Sequence, residues 1–283
     1  MFTKIFLSIG VLLAIAFLIL VILRIRNEQE VNRIWRLCFA HATRSLQGVP
    51  TENRFTKDMV MALPVPVQRY FLHSIALQTP LASSVSLKMS GSFRMAQDKP
   101  WIPMQATEIL STKGFVWKAR IGSGLFQMSG SDRYINKSGR MRFSLWGLVP
   151  LVNAHNPDIT RSSIGRFAGE FFWLPSALLP QRGVSWKAID DKTIQASLKV
   201  DDEPVTLTLF IDANGKLLKL SLPRWGDQTE DSSYTYIPFG GEYQEEKIFG
   251  GFTIPSQMSA GWWLGTARYS EFFRAKIEQA EFR

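Results

Sequence analysis

Val85-Ser86-Leu87-Lys88-Met89-Ser90-Gly91-Ser92-Phe93-Arg94-Met95 alternates between apolar and polar phases along its length, with Gly91 in the apolar phase. Successive side chains of a strand point to opposite faces, so this period of two predicts a half-buried β-strand. The pattern recurs in Phe115-Val116-Trp117-Lys118-Ala119-Arg120-Ile121. It recurs again at Ile194, Ala196, Leu198 and Val200, and at Val205, Leu207, Leu209 and Ile211. Residues 104–110 read as a weaker strand. Asp212-Ala213-Asn214-Gly215 reads as a hairpin turn leading into a strand over 218–222, because Asn-Gly accepts the positive φ of such turns. Further strands are expected over 242–249, across Gly250-Gly251 into 252–254, then over 262–269 and 272–282. Strands this close in sequence pair antiparallel, with one face buried and the other wet.

The period changes to 3.6 elsewhere. Val31, Ile34, Trp35, Cys38, Phe39, Ala42 and Leu46 form one apolar stripe on a helix that Gly48-Val49-Pro50 ends. That helix either continues the preceding apolar run, lies along a membrane interface, or packs on the domain. Thr56 is placed to cap a short helix through Met61. The prolines of Leu63-Pro64-Val65-Pro66 force an extended step before a second short helix. Residues 78–83 read as a linker. Among the later strands, Pro157 opens one helical island whose apolar side is Ile159, Ile164, Phe167, Ala168, Phe171 and Phe172. It closes in Trp173-Leu174-Pro175-Ser176-Ala177-Leu178-Leu179-Pro180. The expected fold is therefore α+β. An N-terminal transmembrane helix precedes one domain with a large curved antiparallel sheet, and the island and the N-terminal helices pack on its concave face.

Residues 5–23 are apolar except for Ser8 and Gly10 and carry no charge. At 1.5 Å per residue they make a helix of roughly 28 Å, close to the hydrocarbon thickness of a bilayer. A cleaved signal has a shorter apolar region followed closely by a small-x-small site. Here Arg24-Ile25-Arg26 follows instead, and Ala40-His41-Ala42 lies far downstream. The reading is a single-pass signal anchor in the cell (inner) membrane, with membrane lipid as a partner. Residues 1–26 form the anchor, 27–50 an amphipathic helix and linker, and 51–283 one β-rich domain. Arg24, Arg26, Arg33 and Arg36 against Lys4 lean towards a cytoplasmic domain. The four-residue head is short enough for either orientation, so the side stays open.

One cysteine excludes an intramolecular disulfide framework. Charge is uneven: residues 27–189 hold 20 Lys/Arg and 9 Asp/Glu, and residues 190–283 hold 10 and 15. Lys113, Lys118, Arg120, Arg133, Lys137, Arg140 and Arg142 are opposed only by Asp132. They read as solvated strand faces and turns, or as cations facing anionic headgroups. No helix-turn-helix, zinc knuckle or RNP-type strand accompanies them, so nucleic acid is not an expected partner. A serine-nucleophile elbow, a phosphate-binding Gly-rich loop, a His-Glu-x-x-His site and a dinucleotide fingerprint are all missing from the sequence. His41, His73 and His155 lie too far apart to suggest a metal site, and no cofactor is expected.

Arg166 and Glu170 are four apart and share a helix face flanked by Phe167, Phe171, Phe172 and Trp173. They are expected to pair in partial shelter. The pair reads as a structural tie between helix and sheet, as a polar anchor in a ligand cavity, or as acid/base machinery with His155. Trp117, Trp173, Trp186 and Trp262 read as core, or as walls of a sheet face not wholly filled by protein.

Leu63-Pro64-x-Pro66-Val67-Gln68-Arg69-Tyr70-Phe71, Arg166-Phe167-x-x-Glu170, Trp173-Leu174-Pro175-x-x-Leu178-Leu179-Pro180, Val184-x-Trp186, and Ile254-Pro255 before Trp262 together resemble an uncharacterised bacterial domain-of-unknown-function family over residues 55–283. The resemblance implies a membrane-anchored protein with no established activity. Its fold looks similar to the curved-sheet lipoprotein carriers of the LolA/LolB type, an analogy of architecture that does not fix function. The expected function is a membrane-anchored, non-enzymatic module that binds a lipid or other apolar ligand or partner. Arg166, Glu170, Trp173, Trp117, Trp186 and Trp262 are its candidate binding residues. The alternatives are an enzyme on a lipid-like substrate, with Glu170 and His155 in acid/base roles, and a structural membrane-associated scaffold.

Overall fold

The computed structural model describes residues 2–46 and 54–283, with side chains described over 5–36 and 54–283. The expected stop at Gly48-Val49-Pro50 lies outside the described residues, as do the side chains of Cys38, Phe39, Ala42 and Leu46. The strands are β1 (Ser84–Phe93), β2 (Ile102–Ser111), β3 (Gly114–Ile121), β4 (Met128–Ile135), β5 (Ser138–Leu145), β6 (Val149–Ala154), β7 (Ser185–Ala188), β8 (Thr193–Val200), β9 (Glu203–Ile211), β10 (Leu217–Gly226), β11 (Thr235–Phe249), β12 (Phe252–Trp262) and β13 (Ser270–Phe282). They form one open, curved 13-stranded antiparallel sheet in the order β6-β5-β4-β3-β2-β1-β13-β12-β11-β10-β9-β8-β7. It consists of two hairpin meanders, β1–β6 and β7–β13, sewn together by the β1–β13 pair. Asp212-Ala213-Asn214-Gly215 makes the β9–β10 turn, with Gly215 at φ 92°.

This order dictates where the island goes. β6 and β7 are opposite edges of the sheet, so the chain between them must cross a whole face. It does so as α3 (Pro157–Gly169) and three 3₁₀ turns, Glu170–Trp173, Pro175–Leu178 and Pro180–Arg182. Asn156 caps α3, its side chain accepting from the Ile159 N–H at 2.8 Å. Pro157, Pro175 and Pro180 each stand in a first turn, where the missing N–H costs nothing. The crossing covers what is called here the inner face. Trp173, Tyr70, Tyr134, Phe55, Phe71 and Phe115 are among the largest fully buried side chains of its core. α2 (Val65–Ser74) adds Val67, Tyr70 and Phe71 to the same core.

α1 runs unbroken from Phe2 to Leu46, straight through the expected boundary at residues 26 and 27. Its Ile5–Arg36 part is long and apolar enough to cross a membrane, and the most apolar stretch has no protein cover. Further on, Val31 is buried against Ile109 and Val116, with Ile34 and Trp35 beside it. For α1 this corrects the expectation that the N-terminal helices share the concave face, because α1 lies on the outer face, whereas α2 does pack on the inner one. Leu110 and Phe115 are register partners in the inner core, and Ile109 and Val116 are the next pair along, in the opposite phase. A hairpin that is apolar in both phases needs a cover on both faces.

Three further expectations change. Lys57–Met59 is a single 3₁₀ turn, and the Thr56 side chain makes no cap hydrogen bond. No strand forms over 262–269: β12 ends at Trp262, and Trp263 and Gly265 at φ 61° and 82° turn the chain. The earlier part of that region is one strand through Pro255, tolerated where the β11–β12 register slips between Glu245 and Glu246. β4 has no clear alternation, because Gly130 and Asp132 occupy inward positions that apolar residues would mark, whereas β5 does alternate, with Met141, Phe143 and Leu145 inward and Arg140, Arg142 and Ser144 outward.

Candidate functional site

Glu108, Trp117 and Asp132 are register partners across β2, β3 and β4, and so form one transverse row on the inner face. α3 lays Arg166 over this row. Its guanidinium donates from Nε to Glu170 at 2.7 Å and from Nη1 to Asp132 at 2.7 Å, and Glu108 lies 4.0 Å away. The same group sits 4.7 Å from the Phe115 ring centroid and 5.2 Å from that of Trp117. Arg166 is 16 % exposed, Glu170 14 %, Asp132 9 % and Glu108 1 % by side chain, so the cluster is nearly dry.

The protonation pattern follows from that dryness. Burial first, and then the charge of Glu170, push the Glu108 carboxyl well above its ordinary range. Neither Glu108 oxygen receives a donor, nor does Glu170 Oε2, while Glu108 and Glu170 lie within hydrogen-bonding reach of each other. A proton kept on Glu108 supplies the missing donor. Burial pulls the Arg166 guanidinium down, but Glu170, Asp132 and Glu108 outweigh it and hold the group above its usual value. Neighbouring Arg224 has no such surplus; burial and the Arg166 charge lower it to about 10. The cluster thus sets one firmly held cation among three carboxyl groups, of which Glu108 is the one pushed towards its neutral form. Through Arg166 and Asp132 it joins α3 to β4, and among the described residues no group of three or more His, Cys, Asp or Glu is arranged to hold a metal ion.

Of the candidate residues, Arg166, Glu170 and Trp117 come together. Trp173 is buried elsewhere, its indole N–H donating to the Pro255 carbonyl at 3.1 Å. Trp186 donates to the Leu178 carbonyl at 2.9 Å beside Phe71. Trp262 packs under Arg224, 4.9 Å from its guanidinium. His155 is exposed, just before α3, whereas Glu170 closes that helix, a separation of about 20 Å along the axis at 1.5 Å per residue. Glu108 and Asp132 were missed. The signal for Glu108 was present: it stands in the inward phase of Met104, Ala106 and Leu110.

The next turn of α3 faces a different feature. Phe167 and Phe171, with Tyr134, Ala177, Val184 and Val205, line a cleft of about 830 Å³ between the β3–β4 side of the sheet and β8–β9. Tyr134 donates to Asp201 and Lys137 pairs with Asp202 at 3.4 Å, so the β4–β5 and β8–β9 turns meet at this cleft. Lys113, Arg182 and Lys199 also line it and give it basic groups.

No curated protein matches the chain in sequence. Among solved structures, the chain is similar to a LolA-superfamily protein from Nitrosomonas europaea, at 9 % identity and TM-score 0.42, covering 77 % of this chain and 92 % of that one. It is similar to a putative outer-membrane lipoprotein-sorting protein domain from Vibrio parahaemolyticus, at 10 % identity and TM-score 0.37, covering 71 % and 86 %. It is also similar to a DUF1329-family protein from Desulfovibrio piger, at 10 % identity and TM-score 0.35, covering 80 % and 91 %. The model of the family of unknown function DUF6920 matches residues 61–282, and the chain belongs to that family.

Proposed function

We propose that this protein is a membrane-tethered, non-enzymatic module that holds a lipid or another apolar ligand or partner in the inner cleft of its sheet. In this reading residues 1–26 are a single-pass anchor in the cell membrane, 27–50 a juxtamembrane segment and 51–283 the binding domain. The observation that carries it is the cleft walled by Phe167, Phe171 and Val205. Ligand pockets are typically apolar concavities of about 300–1,000 Å³ with a few polar groups, and this one falls within that range. Open volume at the inner face weighs against a pure scaffold. The distance between His155 and Glu170, and the engagement of Glu170 with Arg166, weigh against acid/base catalysis.

The test uses full-length protein extracted in detergent, delipidated, exposed to a bacterial lipid extract and analysed by mass spectrometry. Wild type is expected to retain an apolar species that Val205→Trp, which fills the cleft, does not. Equal retention by both proteins would remove the cleft from the proposal. Recovery of the native full-length chain in the soluble fraction after lysis would remove the tether.

A further inference from the structure

The outer face has its own cleft, of about 620 Å³, between α1 and β1–β5. Five cations line it, Arg24, Lys88, Lys118, Arg120 and Arg142. The sheet places them in order. Lys88, Thr107, Lys118, Ser131 and Arg142 are successive register partners across β1 to β5. Lys88, Lys118 and Arg142 therefore stand two strands apart, about 9.5 Å each, with hydroxyl side chains between them. Arg120 stands two residues along β3 from Lys118 on the same face.

The nearby acids are already engaged. Glu28 pairs with Arg24 at 2.9 Å, Glu278 with Lys88 at 3.8 Å, and Glu30 with Arg133 at 2.5 Å and Arg140 at 3.8 Å. Lys118, Arg120 and Arg142 make no ion pair among the described residues. Each donates to a neutral amide instead: Lys118 to Asn32 at 3.2 Å, Arg120 to Gln105 at 3.5 Å, and Arg142 to Asn27 at 3.2 Å. Two carboxylates, Glu28 and Glu278, also line the cleft but are paired with Arg24 and Lys88, so Lys118, Arg120 and Arg142 around a floor of Ser129, Gly130 and Ser131 leave it with a net excess of three positive charges.

The position of the cleft selects the anion. Arg24 is the first residue after the apolar run, and Asn32 follows within about 14 Å along the same helix. The polar headgroup layer is roughly 5–7 Å deep on each side of the hydrocarbon core, so the Arg24 end of the cleft lies at headgroup level. At that level the sheet presents an apolar rim. Leu125 and Phe126 are 74 % and 81 % exposed and Trp146 is 46 % exposed. The Trp146 carbonyl accepts from Arg24 at 3.3 Å and its N–H donates to Gln127 at 2.9 Å. An exposed Trp–Phe–Leu edge flush with the end of a spanning helix suits the membrane interface.

We infer that the outer cleft is a site for the headgroup phosphate of an anionic phospholipid, with Leu125, Phe126 and Trp146 seated in the interface beside it. This rests on α1 spanning the membrane, as proposed above, and not on any ligand of the inner cleft.

Full-length protein in mixed micelles with equal phosphatidylglycerol and phosphatidylcholine, followed by native mass spectrometry of the lipid retained, tests it. Phosphatidylglycerol is expected to be retained in preference. Lys118→Gln combined with Arg142→Gln is expected to weaken that retention about 30-fold, at about fivefold per charge. Equal retention of the two lipids, or unchanged retention in the double variant, would overturn the inference. Full competition by an equimolar amount of glycerol 3-phosphate would also overturn it, in favour of a soluble phosphate. Protein that comes from the membrane fraction but shows equal retention sinks this inference alone, whereas protein that never requires detergent sinks the tether.

Discussion

Arg166 donates to Asp132 across 2.7 Å, and so ties α3 to β4 through two residues 34 positions apart in the chain. The better-aligned partner in sequence, Glu170, caps the same helix, so its bond to Arg166 does not itself reach the sheet. The energetic consequences of the cluster therefore depend on the long-range contact more than on the local pair.

Arg166→Met leaves the buried Asp132 and Glu170 side chains without their guanidinium partner beside Glu108. Breaking a buried ion pair in this way costs about 3–5 kcal/mol. Glu170→Gln is expected to cost less, because Arg166 keeps Asp132. Combining Arg166→Met with Glu170→Leu is not expected to restore stability, since Asp132 remains without a partner. Adding Asp132→Leu should recover much of the loss. Urea or thermal unfolding of the four variants in detergent measures this. A double variant as stable as wild type would mean that Asp132 does not depend on Arg166.

Glu108 makes stability depend on pH in a defined direction. Its folded pKa lies above the unfolded value of 4.5, so between the two the folded state holds one proton more than the unfolded state. Stability from this site is fully present below pH 4.5 and falls as pH rises, by up to about 1.4 kcal/mol per unit until the folded carboxyl titrates. Glu108→Gln keeps a neutral donor towards Glu170 and removes the titration. The variant is expected to gain on wild type as pH is raised from 4.5 to 8. Parallel stability–pH curves for the two proteins would show that Glu108 is ionised in the fold.

Gly91 stands where the two meanders are sewn together. A Cβ there would lie 1.9 Å from the backbone carbonyl oxygen of Arg274 on β13, and a backbone atom cannot rotate out of the way. Gly91→Ala is expected to cost about 1–3 kcal/mol or more through forced separation of β1 from β13. Gly10→Ala in α1, with nothing within 4 Å, is the control and should leave the melting temperature unchanged. Equal melting temperatures for the two variants would show that the seam yields without cost.

The legible part of the fold was the part written in local periodicity. β1, β3, β8 and β9 announced themselves by period two, the apolar run of α1 by its length, and α3 by Pro157 and its apolar stripe. β4 did not, because its inward positions include Gly130 and Asp132, whose environment comes from other strands and from α3; β5 does alternate, Met141, Phe143 and Leu145 against Arg140, Arg142 and Ser144, and that signal was overlooked. The candidate site divides in the same way. Arg166 and Glu170 were readable because residues four apart on a helix meet, whereas Glu108 and Asp132 join them only through strand pairing.

What the sequence by itself determined is therefore the set of elements with a strong internal period: a spanning-length apolar helix, antiparallel strands with one dry face, and a helix carrying a sheltered ion pair. Only the tertiary structure decided which face each helix covers. Leu110 and Ile109 are adjacent and equally apolar, and the choice between α3 over one and α1 over the other depends on what else the chain brings to each side. Only the fold, too, turned scattered cations into a cleft beside the end of the apolar run of α1. Register sets those neighbours, and register is a property of paired strands rather than of any one of them.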